Sequence, residues 1–217
     1  MTAIQVKICG IKDVSALDAA LDAGADFVGF NFYPPSPRSA PAEAAAELAR
    51  RAEGRARRVG LFVDADDALI EATLAAVRLD VLQLHGGETP ERVAEVRGRF
   101  GLPVWKAVPV AAAEDLVAAR AWRAQADLLL FDAKPPKRPD ALPGGNALAF
   151  DWDLIAADRP EGDWMLSGGL TPENVAAAIA RAAPPAVDVA SGVERRRGEK
   201  DPGLIRAFVE AVRRADG

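Results

Sequence analysis

The sequence predicts an α/β fold of the (β/α)8 TIM-barrel class, a single domain over residues 1–217. Three observations carry this. About eight short apolar segments alternate with alanine-rich helical patterns from one end of the chain to the other. Most of those segments end in a polar or glycine-bearing turn, as in Cys9-Gly10, His85-Gly86, Ser167-Gly168-Gly169 and Ser191-Gly192. No Gly-x-Gly-x-x-Gly fingerprint follows the first strand, which argues against an open doubly wound sheet built on the same alternation.

The strand segments are 5–9, 27–32, 59–63, 81–84, 104–108, 128–131, 164–166 and 187–190. Asp13 caps a helix reaching Leu21, and Pro41 suits the first turn of one through Ala52. Asp66 opens a helix through Arg78, and Thr89-Pro90 starts another. Further helices fit 114–124, 151–157 and 171–182, and the last runs from Pro202 to Arg214 behind an Asp201 cap. The stretch 134–146, rich in Pro, Gly and Lys, reads as a long loop after the sixth strand, a common place for a lid.

The net charge of −5 gives no basic surplus for nucleic acid or an anionic membrane. No apolar run approaches the ~18 residues of a membrane helix, and the N-terminal residues carry no signal-peptide pattern, so a cytoplasmic protein is expected. One cysteine excludes an internal disulfide. The alanine-rich outward faces fit a monomer or a homodimer equally well.

Alternation sorts the strand side chains. Ile4, Val6 and Ile8 share one side of the first strand, so Lys7 and Cys9 point into the barrel. The same test turns Gln83, His85, Asp132 and Asp188 inward. An unpaired buried charge is costly, and first and last strands are neighbours in a closed barrel, so Lys7 is expected to pair with Asp188.

Barrels gather their chemistry where strands end. Cys9 ends the first strand; most free cysteines are small buried hydrophobes, but a neighbouring ammonium, here Lys7, would favour a thiolate able to act as base. Asp132 ends an apolar strand; it is either a structural carboxylate, paired with Lys134 or a loop amide, or an acid held protonated by its setting. Gly168 and Gly169, with Ser191 and Gly192, end the last two strands, where barrels often hold phosphate on backbone amides. Arg38 follows the stiff Tyr33-Pro34-Pro35-Ser36-Pro37 loop and could fork a carboxylate, although most arginines are solvated. Gln83 and His85 are binding candidates, with a purely structural role for His85 equally open. Glu88 reads as a helix-start charge, and the run Glu194-Arg195-Arg196-Arg197 as a solvated loop face.

In order along the chain, Lys7-Ile8-Cys9-Gly10, Tyr33-Pro34-Pro35-Ser36-Pro37-Arg38, Leu82-Gln83-Leu84-His85-Gly86, Phe131-Asp132-Ala133, Ser167-Gly168-Gly169-Leu170-Thr171-Pro172-Glu173-Asn174 and Asp188-Val189-Ala190-Ser191-Gly192 resemble the phosphoribosylanthranilate isomerase family. The resemblance covers nearly the whole chain. It implies a cofactor-free Amadori rearrangement of a small-molecule phosphosugar, with no metal, in which Cys9 is the general base and Asp132 the general acid. It further implies that Arg38 holds the anthranilate carboxylate and that amides around Gly168, Gly169, Ser191 and Gly192 hold the phosphate. Lys7, Gln83, His85 and Asp188 join them as substrate-binding candidates. One departure is Ala147 after Gly144-Gly145-Asn146, where the family commonly has glycine. Two other readings remain: a histidine-pathway or bifunctional phosphoribosyl isomerase, expected to carry a carboxylate at Cys9, and a ligand-binding barrel without catalysis.

Overall fold

The structure, a computed structural model, describes residues 3–135, 142–145 and 149–216. Its centre is a closed barrel of parallel strands in the order β1 to β8. The strands are β1 (Gln5–Cys9), β2 (Phe27–Asn31), β3 (Arg57–Phe62), β4 (Val81–Leu84), β5 (Val104–Val110), β6 (Leu128–Ala133), β7 (Trp164–Leu166) and β8 (Ala186–Val189). The helices between and after them are α1 (Val14–Asp22), α2 (Ala42–Ala52), α3 (Asp67–Ala76), α4 (Pro90–Phe100), α5 (Ala113–Ala119), α6 (Asp153–Ala157), α7 (Val175–Ala182) and α8 (Pro202–Asp216). A short antiparallel ribbon, β9 (Glu194–Arg196) and β10 (Glu199–Lys200), follows β8 and was not expected from the sequence.

The expected helix starts hold at their caps. Asp13 accepts from the Ala16 amide, Asp66 from Leu69, Thr89 from Arg92 and Asp201 from Leu204. The helix expected over 171–182 begins only at Val175, because Asn174 turns back: its Oδ1 accepts from the Thr171 amide and its Nδ2 donates to the Gly169 carbonyl. The helix expected over 114–124 ends at Ala119 and tightens into a 3-10 turn, Arg120–Trp122. Strand β6 runs on through Ala133, with Pro109 and Val110 of β5 as register partners of Asp132 and Ala133, so Asp132 lies within the strand. The Ala147 position lies outside the described residues.

Two apolar bodies position the site. One fills the space between sheet and helices. The other, with Phe27, Val59, Val81, Trp105, Leu130 and Met165, plugs the barrel interior. Phe27 and Trp105 meet edge to face with centroids 4.9 Å apart. Above this plug the inward positions turn polar, so the charged and hydrogen-bonding groups collect at the C-terminal ends of the strands.

Candidate active site

One cavity opens at that end. Cys9, Asp132, His85, Arg38, Asp188, Gly168, Gly169 and Ser191 all line it. Lys7, Gln83 and Gly192 are not among its lining residues; Lys7 and Gln83 are fully buried behind the wall. Leu142, Pro143, Gly144 and Gly145 of the loop after β6 also contribute to the lining.

On one side, Lys7 donates to Asp188 at 2.8 Å across the β1–β8 seam, where the two are register partners. Ser167 donates to the second Asp188 oxygen at 3.1 Å. Burial alone would lower the Lys7 pKa, yet Asp188 and Cys9 beside it hold it above the ordinary lysine value. The thiolate expected at Cys9 is corrected here. Burial pushes the Cys9 thiol up, and Asp188 adds to this, outweighing the opposing pull of Lys7. Burial thus works against the thiolate that Lys7 alone would favour. Gly29, its register partner on β2, makes the room it occupies: a Cβ there would meet Sγ at 3.2 Å.

On the other side, Asp132 Oδ1 accepts from the Ala133 amide at 2.8 Å, and Oδ2 lies 3.2 Å from His85 Nε2. His85 Nδ1 in turn lies 2.9 Å from Gln83 Nε2. Lys134, a possible partner from the sequence, pairs with Asp115 instead. The loop after β6 lies directly on this pair, since a Cβ at Gly144 would fall 2.5 Å from His85 Nε2 and 2.6 Å from Asp132 Oδ2. Gly168 adopts φ +87, open to glycine, and packs on the same carboxyl.

Arg38 is neither solvated nor a free fork. Its Nε donates to Glu194 at 2.7 Å and its Nη2 both to Glu194 and to the Gly145 carbonyl. Nη1 donates to none of the described residues. The expectation that Glu194 belongs to a solvated face is wrong, because the β9–β10 ribbon folds its side chain back to 4% exposure. There Lys200 also donates to it, at 3.0 Å. Burial opposes its charge, yet Arg38 and Lys200 hold the Glu194 carboxyl below the usual range. Glu88 is likewise no helix-start charge. It is buried, pairs with buried Lys106 at 3.0 Å, and accepts from the Asp64 and Gly86 amides. Alternation placed residues on strands but had no signal for these loop-borne partners; only the Gly198 turn between Glu194 and Lys200 hints at a ribbon.

Among the described residues, no group of three or more His, Cys, Asp or Glu is arranged to hold a metal. No described helix is long and apolar enough to cross a membrane.

Fold and site together define a (β/α)8-barrel enzyme with a thiol and a carboxyl facing one cavity, ringed by an arginine and glycine turns. Residues 6–211 match the profile of the N-(5'phosphoribosyl)anthranilate (PRA) isomerase family, and the chain belongs to that family. It is 54% identical over 210 residues to the N-(5'-phosphoribosyl)anthranilate isomerase of Paramagnetospirillum magneticum, covering 97% of each chain. It is 56% identical to that of Paracoccus denitrificans, covering 95% of this chain and 96% of the relative. The Thermotoga maritima phosphoribosyl anthranilate isomerase superposes with a TM-score of 0.86 at 37% identity, over 96% of this chain and 98% of that one. A further solved isomerase, at 36% identity and a TM-score of 0.83, covers 96% of this chain and 98% of its own; it is a complex with reduced 1-(o-carboxyphenylamino)-1-deoxyribulose 5-phosphate.

Proposed function

We propose that this chain converts N-(5-phosphoribosyl)anthranilate to 1-(2-carboxyphenylamino)-1-deoxyribulose 5-phosphate, an Amadori rearrangement in tryptophan biosynthesis. The observation that supports it is that Cys9, Asp132, Arg38, Gly168, Gly169 and Ser191 share one cavity wall.

Asp132 gives its proton to the furanose ring oxygen as the C1–O bond breaks, and the anthranilate nitrogen takes up the positive charge as a Schiff base. The ionised fraction of Cys9 then removes the proton from C2. The resulting enol-amine loses its C2 hydroxyl proton and gains one at C1, giving the C2 ketone with no net change in protons or electrons, so no redox partner is consumed. Arg38 Nη1, the donor left over from Glu194 and Gly145, meets the anthranilate carboxylate. Amides of Gly168, Gly169, Ser191 and Gly192 meet the phosphate. A substrate carrying phosphate and carboxylate does not cross a bilayer unaided, which supports the cytoplasm as the compartment.

The test follows the fluorescence decay of freshly generated phosphoribosylanthranilate. Wild-type protein is expected to accelerate the decay, with Asp132→Asn and Cys9→Ala each slower by about 10²–10⁴-fold, the range for a lost acid–base group. No acceleration by the wild type removes the activity; full activity in either variant removes that residue from the role.

A further inference from the structure

We propose that Gln83 fixes the proton of His85 on Nε2, and that His85 so fixed keeps the proton of Asp132 aimed into the cavity; this rests on Asp132 acting as the acid of the reaction proposed above. Both are positioning residues. Neither needs to touch substrate.

Gln83 is fully buried on β4, and its amide nitrogen approaches His85 Nδ1 at 2.9 Å. An amide nitrogen only donates. With the amide placed this way Nδ1 accepts, and the single proton of a neutral ring lies on Nε2. That Nε2–H meets Asp132 Oδ2 at 3.2 Å, while Oδ1 already accepts from the Ala133 amide. A carboxyl oxygen that accepts from histidine cannot turn its own proton onto the same nitrogen. Any proton on Asp132 is thereby directed away from the ring. With the opposite tautomer, Nε2 would accept, and the Asp132 proton would be spent on His85.

The surroundings hold this arrangement. The His85 amide donates to Phe62 at 2.8 Å, and the next amide, Gly86, is gripped by Glu88, itself paired with Lys106. A Cβ at Gly144 would clash with both His85 Nε2 and Asp132 Oδ2, so the loop passes this pair only as glycine. Among the described residues, Gln83 Oε1 is buried with no hydrogen-bond partner. A carbonyl left unpaired in a barrel wall is a cost that needs an offsetting gain, and the Gln83 N–H directed at His85 Nδ1 is the gain the geometry shows.

The chain has one histidine, so nitrogen NMR of protein labelled at histidine reads this ring alone. The wild type is expected to show the proton on Nε2. In Gln83→Met, similar in length but with no amide, the two tautomers should redistribute, and kcat should fall about 10–100-fold with KM little changed, as when other partners that fix a histidine tautomer are lost. His85→Gln, which keeps an N–H donor, should retain more kcat than His85→Leu. A proton on Nδ1 in the wild type, an unchanged tautomer in Gln83→Met, or a redistributed tautomer with unchanged kcat each overturns the proposal. The NMR result does not depend on turnover. A wild type that fails to consume phosphoribosylanthranilate would count against the proposed function alone.

Discussion

At the scale of single residues, Cys9 is decided by competition between burial and charge. Lys7 shares its face, and alternation with barrel closure made both that and its pairing with Asp188 visible, but they could not weigh desolvation against the Lys7 charge. The outcome is a thiol raised above its ordinary value. Because it is the single cysteine, the difference in ultraviolet absorbance between wild type and Cys9→Ala across a pH titration reads its thiolate alone, the tyrosine signal cancelling. Its midpoint is expected above the ordinary ~8.5. The linkage sign follows: the folded state holds the proton more tightly than the unfolded chain, so this contribution to stability is complete below the ordinary thiol value and lost as pH rises through the folded one. A midpoint at or below the ordinary value would show that Lys7 outweighs burial.

At the scale of elements, what could be read in advance was what a strand's period carries. Lys7, Gln83, His85, Asp132 and Asp188 each point as alternation requires, because a residue's side of a strand depends only on its immediate neighbours. Glu88 and Glu194 were misread because each finds its cation through a loop. Glu194 reaches Arg38, 156 positions earlier in the chain, only because β9 and β10 fold back as a ribbon. That ribbon also anchors Lys200 on the Ala190 carbonyl, next to Ser191. Glu194→Gln replaces the charged fork on Arg38 with a neutral amide and leaves the guanidinium free to shift. Steady-state kinetics should show KM raised by about tenfold or more, one charge-assisted bond of ~1.5–3 kcal/mol, with kcat changed less. An unchanged KM would mean that Arg38 does not depend on the ribbon. The acid side has a definite sign as well. Glu194 is held below the usual carboxylate range, so its share of stability is present above the ordinary carboxylate value and lost as pH falls through the folded one.

At the scale of the whole molecule, the barrel closes where its first and last strands meet, and a charge pair sits on that seam. Lys7 is 0% exposed and Asp188 4% at the side chain, with Ser167 on the free Asp188 oxygen. A buried pair of this kind is weak as a source of stability but severe when halved, because the remaining charge has no water to return to. Lys7→Met should therefore cost about 3–5 kcal/mol in denaturant unfolding. The double variant Lys7→Met with Asp188→Leu should recover much of that loss, since apolar groups of similar volume often replace a buried pair at little cost. Recovery of stability without recovery of turnover would mean that the seam keeps its ions for the chemistry beside Cys9. If the double variant is no more stable than Lys7→Met, the pair and its Ser167 partner hold the barrel shut in a way that apolar packing at the same positions cannot replace.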